Sequence, residues 1–280
     1  MRVPEERDVP FVAALMSEHA ADPVSESDVA REWSAPYIVL ERDARVEDDG
    51  YVLVESIDAE RAWLNVHGRP SARLLDWADA QLGERSSRAL SGGWSADEVV
   101  LAVLRERGFR RVRSSHRMLL DLALSGTAPR WPRGVALRTF QEGDERLFYE
   151  VHQETFLDMW EPIEDTYEEW AHWFLEPPAF APDLWFVAHE GTEPAAVAIC
   201  SPHETRAECG WIRVLGVRRP WRRRGLGRAL LLHAFEEFRL RGFTTAGLGI
   251  DAESETGANR LYESVGMSTA ARFDILERSG

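Results

Sequence analysis

The sequence predicts an α+β chain made of two tandem domains. Three observations carry that prediction. Strand and helix patterns run in order to about residue 122 and then begin again after residue 134. A polar stretch rich in Gly and Pro, SGTAPRWPRG over 125–134, separates the two runs. The halves also repeat: laying Gly108 over Gly266, an offset of 158, sets Arg105-Glu106-Arg107-Gly108-Phe109 against Glu263-Ser264-Val265-Gly266-Met267. The expected layout is a domain over 1–124, a linker over 125–134 and a second domain over 135–280.

In the first run, Val9, Phe11, Val12, Leu15 and Met16 share one helical face and predict a helix over 4–19, with another over 25–33. Strands follow at 37–41, 51–55 and 62–66, with Asp49-Gly50 as a turn signal between the first two. Next come a helix over 72–82, a short strand over 89–94 and a helix over 95–107, with Ser95 as N-cap and Gly108 as C′ residue. The stretch 109–122 is strand-like in two pieces. The second run predicts a strand at 135–140, helices over 144–159 and 166–175, and strands at 184–189 and 195–200 joined at Gly191. A central strand over 211–217, a long helix over 225–241, a strand at 246–250, a helix over 256–265 and a closing strand pair to about 276 complete it. The offset of 158 lays the helix at 72–82 over 230–240.

The bulk numbers exclude several classes. With 44% hydrophobic and 29% charged residues over 280 positions, the chain has the composition of soluble globular proteins and room for two moderate domains. Its 33 Lys+Arg against 48 Asp+Glu give a net charge of -15, which argues against a nucleic-acid partner. No apolar run approaches the roughly 20 residues a membrane span needs, and MRVPEERDVP has no signal-peptide core, so a cytoplasmic location and no membrane partner are expected. Cys200 and Cys209 show neither a disulfide framework nor zinc spacing, and no metal is expected. Cys209 as a ping-pong nucleophile lacks a visible activating group. Every basic residue other than His is Arg, so Schiff-base chemistry is excluded.

The stretch GWIRVLGVRRPWRRRGLGRALLLHA, over 210–234, organises the rest. An alternating strand runs into a Pro-containing turn and then into a helix whose Leu226, Ala229, Leu230, Ala234 and Phe235 recur at helical spacing. Gly225 and Gly227 leave backbone bare at the helix mouth. Unpaired first-turn N–H groups and the macrodipole make that mouth an anion site, reinforced by six arginines from Arg218 to Arg228. The run Arg222-Arg223-Arg224-Gly225-Leu226-Gly227 is neither G-x-G-x-x-G nor G-x-x-x-x-G-K-[ST], which sets aside a dinucleotide fingerprint and a P-loop. A solvated basic helix start is the bland reading, and a diphosphate cradle the sharper one.

Arg222-x-x-Gly225-x-Gly227 between strand and amphipathic helix resembles the diphosphate-binding loop of the GNAT superfamily of N-acetyltransferases. The run Gly257-Ala258-Asn259-Arg260-Leu261-Tyr262-Glu263-Ser264-Val265-Gly266-Met267 is similar to the Tyr-bearing helix that precedes the family's last strands. The resemblance covers roughly 134–276 strongly and the front half faintly. It implies two tandem domains of one type, each a mixed, mostly antiparallel twisted sheet flanked by helices, with a layout similar to that of mycothiol synthases. It implies acetyl-CoA as cosubstrate, with Leu215, Gly216 and Val217 holding the pantetheine and polarising the acetyl carbonyl. Arg222, Arg223, Arg224, Gly225, Leu226, Gly227 and Arg228 would take the diphosphate. Asn259 would contact pantetheine or only solvent. Many members carry an Asn where Ser254 stands here and a Glu where Arg213 stands, so one cofactor contact and the usual base depart from the pattern.

Tyr262 is the expected general acid, since a phenol stays protonated at neutral pH; its bland alternative is packing of a helix on the sheet. Glu208, His203, Glu150 and His152 are candidate bases, with Glu208 placed first, beside a relayed water or an amine already neutral. His233 reads as a core or boundary residue. Asp158, Glu161, Glu164, Asp165, Glu168 and Glu169, interleaved with Trp160, Tyr167, Trp170 and Trp173, suit a cationic amine with an apolar body, and Asp158, Trp160 and Glu161 are the residues singled out for it. The bland reading is an amphipathic helix with Trp170, Trp173 and Phe174 in the core. In the front half, 62–66 is followed by His67-Gly68-Arg69-Pro70 with no Gly-x-Gly loop, and Leu104 falls opposite Tyr262 and Leu101 opposite Asn259, an outline without the chemistry. The expected activity is acetyl transfer from acetyl-CoA to a primary amine of a small molecule, by direct attack in a ternary complex, from a monomer or homodimer. A non-catalytic acyl-CoA sensor and an interaction scaffold are the competing classes.

Overall fold

The computed structural model describes residues 1–162, 164–176, 180–254 and 257–279. Two compact units emerge: residues 1–116 with 251–253 and 271–280, and residues 117–250 with 254–270. Helices and mixed sheets make up both, as the α+β expectation requires.

The first unit opens with α1 (Val9–Ser17), α2 (Glu26–Trp33) and the short α3 (Leu40–Asp43), then β1 (Ala44–Glu47), β2 (Gly50–Ser56), β3 (Arg61–Gly68), α4 (Ala72–Arg85), β4 (Arg88–Trp94) and α5 (Glu98–Glu106). The strand expected at 37–41 is instead the turn and short helix that precede β1. Asp43 explains it: its carboxylate accepts from Val39 N–H at 2.7 Å and from Arg42 and Arg85 at 2.6 Å, which fixes a helical turn ahead of the strand. The N-cap of α5 is Asp97, whose side chain accepts from Val100 N–H at 3.0 Å, and not Ser95. One face of β2 and β3 buries Val52, Val54, Leu64 and Val66 against Leu74, Ala78 and Leu82 of α4 and Leu101 and Leu104 of α5.

A single strand, β5 (Arg110–Asp121), replaces the two pieces expected over 109–122, and the unit boundary falls within it, between His116 and Arg117. The second unit continues with β6 (Val135–Thr139), α6 (Glu145–Phe156), α7 (Tyr167–Phe174), β7 (Trp185–Glu190), β8 (Glu193–His203), β9 (Arg206–Val217), α8 (Leu226–Leu240), β10 (Thr245–Asp251), α9 (Ala258–Ser264) and β11 (Ser268–Ser279). Thr256, the expected start of α9, lies outside the described residues. The closing strand pair is one strand, β11. Its residues from Ala271 onward belong to the first unit, where Phe273–Ser279 pairs antiparallel with Trp94–Arg88 and Leu276 enters the core.

Within the second unit the strand order is β5-β10-β9-β8-β7-β6, and among the described residues β9 and β10 alone pair in parallel. Small residues alternate on one face of β8, Ala196, Ala198 and Cys200, and let α8 come close through Leu230, Ala234, Phe235 and Phe238. Gly210 of β9 belongs to the same arrangement, because a Cβ there would stand 2.3 Å from the Phe238 ring. The other face, Val197, Ile199 and Val214, packs under Phe148 and Val151 of α6 and Trp170 of α7. Among the described residues no helix is long and apolar enough to cross a membrane.

The repeat shows in the element bounds and turns. Moved back by 158, β11 covers β5 residue for residue, and Gly108 and Gly266 both close a helix at positive φ, 89° and 95°. Since residues 271–279 supply a strand of the first unit, a chain ending at Ala270 should expose the backbone amides of β4 while β7 and β8 stay shielded. Hydrogen exchange followed by mass spectrometry checks this; equal protection of β4 in the full and shortened chains would contradict it.

Candidate active site

β9 and β10 run in register from Cys209↔Thr245 to Ile212↔Leu248 and no further, although both strands continue, to Val217 and Asp251. The last third of β9 keeps β8 as its partner. Arg218 N–H donates to Ala195 O at 3.0 Å, which sets the alternation: main-chain groups of Val214 and Gly216 turn toward β8, and those of Leu215 and Val217 turn toward the side that β10 has left. Val217 O is taken by Arg222 Nε at 2.9 Å. Leu215 N–H, Leu215 O and Val217 N–H therefore line a cleft inside the sheet. Gly216 has a separate reason to be glycine, for a Cβ there would meet Thr155 Oγ1 of α6 at 2.4 Å.

The helix mouth adjoins this cleft. Gly225 is the N-cap of α8 at φ 90°, and the first bond within the helix runs from Ala229 N–H to Gly225 O at 3.0 Å, so the N–H groups of Leu226, Gly227 and Arg228 have no intrahelical acceptor. A Cβ on Gly225 would meet nothing within 4 Å, whereas one on Gly227 would touch Val217 and Leu261 at 3.5 Å. Strand end, helix start and α9 thus meet around Gly227. Arg223 holds φ 60°, and among the described residues the one other non-glycine at positive φ is Glu161. Left-handed residues of this kind gather at ligand clamps.

The six arginines are not equivalent. Arg218 pairs with Glu154 at 2.7 Å, Arg219 and Arg222 both hold Asp158, and Arg224 holds Glu190, which also accepts from Trp221 Nε1 at 2.9 Å. Hydrogen bonds from Arg219 and Arg222 hold the Asp158 carboxyl down at about 2, and those from Arg224 and Trp221 do the same for Glu190. No carboxylate pairs with Arg223 or Arg228 among the described residues. This corrects the expectation that Asp158 waits for a cationic substrate: its charge is spent on Arg219 and Arg222, which ties the segment after α6 to the loop before α8. Trp160 and Glu161 follow in the same segment, half-buried.

Tyr262 is buried on α9 at 8% exposure, among the apolar side chains under α8, and burial pushes its phenol up to about 12. Asn259 lies a turn earlier, half-buried. Glu208 is misplaced for a base. It is exposed at the far end of β9, bonded to Thr244 Oγ1 at 3.1 Å, and seven residues from Leu215 span about 23 Å at roughly 3.3 Å per residue. His203 shares that end, its ring against Trp211 at 5.1 Å, and Glu150 is exposed on α6. Cys200 and Cys209 are buried, and burial raises the Cys200 thiol.

His152 accepts from Trp170 Nε1 at 2.9 Å through Nδ1, so its proton sits on Nε2 and no lone pair is left for a substrate. Burial, with Arg213 adding to it, lowers the imidazole to about 4. Arg213 itself reaches Trp173 O at 3.0 Å and covers the Phe174 ring at 4.8 Å. Trp170 is fully buried, which is the core reading of α7. Among the described residues no three His, Cys, Asp or Glu side chains are grouped to hold a metal.

Known proteins resemble this chain. The model of the acetyltransferase (GNAT) family matches residues 146–267. A mycothiol acetyltransferase of Thermobispora bispora is 31% identical over 252 residues, covering 82% of this chain and 79% of that protein. One from Streptomyces avermitilis is 31% identical over 229 residues, 79% of this chain and 73% of that protein. A GCN5-related N-acetyltransferase from Sphaerobacter thermophilus superposes with a TM-score of 0.78 at 28% identity, over 99% of this chain and 94% of that one. A tandem GNAT protein from the clavulanic acid biosynthesis pathway shares the fold, with a TM-score of 0.69 at 14% identity, over 100% and 97%.

A His that is neutral when folded and has a value near 6.5 when unfolded favours the folded state fully above pH 6.5, and that stability is lost as pH falls toward 4. The loss is about 3 kcal/mol at most. Denaturant melts at pH 7 and pH 4.5 should show this slope shrinking in His152→Gln; an unchanged slope would place the titration elsewhere.

Proposed function

The chain belongs to the GNAT acetyltransferase family and is an acetyl-CoA-dependent acetyltransferase, and from that premise we propose that its second unit transfers the acetyl group to a primary amine of a small molecule, by direct attack in a ternary complex. The compound on which the mycothiol acetyltransferases act is the first candidate acceptor. The observation that carries the reading is the separation of β9 from β10 beyond Ile212 and Leu248, directly beside the open mouth of α8.

The residues present fit the cosubstrate. Backbone N–H groups of Leu226, Gly227 and Arg228, with the uncommitted guanidiniums of Arg223 and Arg228, suit a diphosphate. The main-chain edge of Leu215 and Val217 suits an amide-bearing chain that replaces the missing strand. Acetyl-CoA supplies a thioester, the activated acyl group. Leu215 N–H or Val217 N–H, facing the cleft, donates to the acyl oxygen as negative charge builds there. Tyr262 keeps its proton at neutral pH and acts from Oη as a hydrogen-bond donor to the departing sulfur. The nitrogen loses a proton on becoming an amide and the thiolate gains one, so the step balances in protons. An amine arriving neutral needs no carboxylate base, in keeping with the position of Glu208.

Tyr262→Phe should lower kcat about 100-fold and leave coenzyme A affinity unchanged, while Glu208→Gln should alter neither. Steady-state kinetics over a panel of amines, amino sugars and peptides, with calorimetry of coenzyme A binding, measures both. An unaffected rate in Tyr262→Phe favours the sensor reading, and acceptance of peptides alone removes the small-molecule acceptor. Gly225→Ala should cost only the left-handed strain of about 1–2 kcal/mol in stability, since its Cβ meets no protein atom, yet weaken coenzyme A at least tenfold. Unweakened binding would mean that the phosphates lie elsewhere.

A further inference from the structure

The first unit carries polar side chains where a sheet covered on both faces ordinarily buries apolar ones. Opposite the face formed by Val52, Val54, Leu64 and Val66, the register pairs Tyr51 with His67, Leu53 with Asn65 and Glu55 with Trp63. Helix α2 brings Glu32 and Trp33 to the same face: Trp33 Nε1 donates to Tyr51 Oη at 2.8 Å, and Tyr51, fully buried, stacks on His67 with centroids 6.2 Å apart. Asn65 is saturated, accepting from Trp63 Nε1 at 2.9 Å and donating to Glu55.

Two atoms of this cluster are left over. Glu32 Oε2 and His67 Nε2 are shut off from water without a hydrogen-bond partner among the described residues. A buried polar atom left in this way costs about 1–3 kcal/mol, and more for a charged group. Among the described residues neither Glu32 nor Glu55 is paired with a guanidinium; Arg31, the base beside Glu32 on α2, is held by Asp28 at 2.8 Å. Burial, with the charges of Glu55 and Asp28, lifts the Glu32 carboxyl to about 8, and burial lifts Glu55 to about 7. Burial also keeps His67 neutral, near 4. Two acids without a guanidinium partner, beside a phenol, an imidazole and an indole whose faces favour positive charge, suit a cation with an organic body. Glu32, Trp33, Glu55 and His67 each retain partial exposure.

We propose that this face of the first unit binds an organic ammonium ion, its charged nitrogen between Glu32 and Glu55 and its body against the Tyr51, His67 and Trp33 rings. The site is independent of the acetyl-transfer reading, because it lies entirely in the unit without the diphosphate loop. Its groups other than Glu32 and Glu55 are Asp28 and Arg31 on α2, Tyr51 and His67 on the strands, and Asp43 ahead of β1; burial holds protons on the Glu32 and Glu55 carboxyls near neutrality, so binding at pH 7 expels protons.

The test is calorimetry of the full chain, saturated with coenzyme A, against phenethylammonium, methylammonium and glucosammonium chlorides in phosphate and in PIPES, a sulfonate buffer with no primary ammonium. Binding of at least one ion is expected, with a heat that depends on the buffer, weakened tenfold or more in Glu32→Gln/Glu55→Gln. Should the double variant melt below the assay temperature, Glu32→Gln alone decides, since Oε2 of that carboxyl makes no hydrogen bond in the free protein, and a fivefold loss is expected. Absence of binding by all three ions, or equal binding by the wild type and by the folded variant, overturns the proposal.

Discussion

Neighbouring parallel strands that part before their ends leave main-chain donors and acceptors facing a gap in the sheet, and those groups constrain what can sit there. In the second unit this constraint acts at Ile212 and Leu248, and both the cleft and its neighbouring helix mouth depend on it. An interior strand stripped of a partner exposes N–H and C=O groups at full desolvation cost unless something pairs with them. Leu215 and Val217 carry those groups. The cleft persists because its walls are fastened elsewhere: Phe238 seats α8 on Gly210, Thr155 seats α6 on Gly216, and the small-residue face of β8 holds α8 close enough that its first turn ends beside the strand.

The arginine-rich loop before α8 shows how charge is managed around such a cleft. Six guanidiniums in eleven residues would repel one another across a few ångströms. Asp158, Glu190 and Glu154 quench four of them. What remains is a local positive end, made of helix N–H groups, Arg223 and Arg228, on a protein whose net charge is -15. A field of that kind is short-ranged and selects for an anion placed at the mouth, not for a polyanion lying across the surface.

Much of the fold is legible in the sequence because it depends on local pattern. The alternation of β8 and β9, the helical spacing of Leu226 to Phe235 and the two left-handed glycines at 108 and 266 are properties of a few consecutive residues, and they appear where the spacing puts them. The departures have another origin. A strand at 37–41 does not form because Asp43 recruits Arg85, 42 residues away, to hold a turn. Asp158 reads as a ligand for an amine because its partners, Arg219 and Arg222, lie about sixty residues further on, and charge pairing at that separation leaves no periodic trace. Glu208 reads as a base from its place in a strand, yet a strand is long enough to put one end of itself out of reach of the other. The passage of β11 into the first unit is equally silent in sequence, since a strand reads the same whichever sheet receives it.

The two units then differ by one countable feature. Three residues join β3 to α4, whereas eight join β9 to α8, although the same parallel departure occurs in both, after Leu64↔Ser91 in the first unit. Three residues can turn the chain from strand to helix but cannot place two left-handed residues and a free first turn around a phosphate. The first unit therefore has the parallel crossover without an open helix mouth of that kind. On the sheet face that α2 covers, Glu32, Glu55, Tyr51 and His67 stand together, and a buried carboxylate oxygen without a partner, such as Glu32 Oε2, is costly.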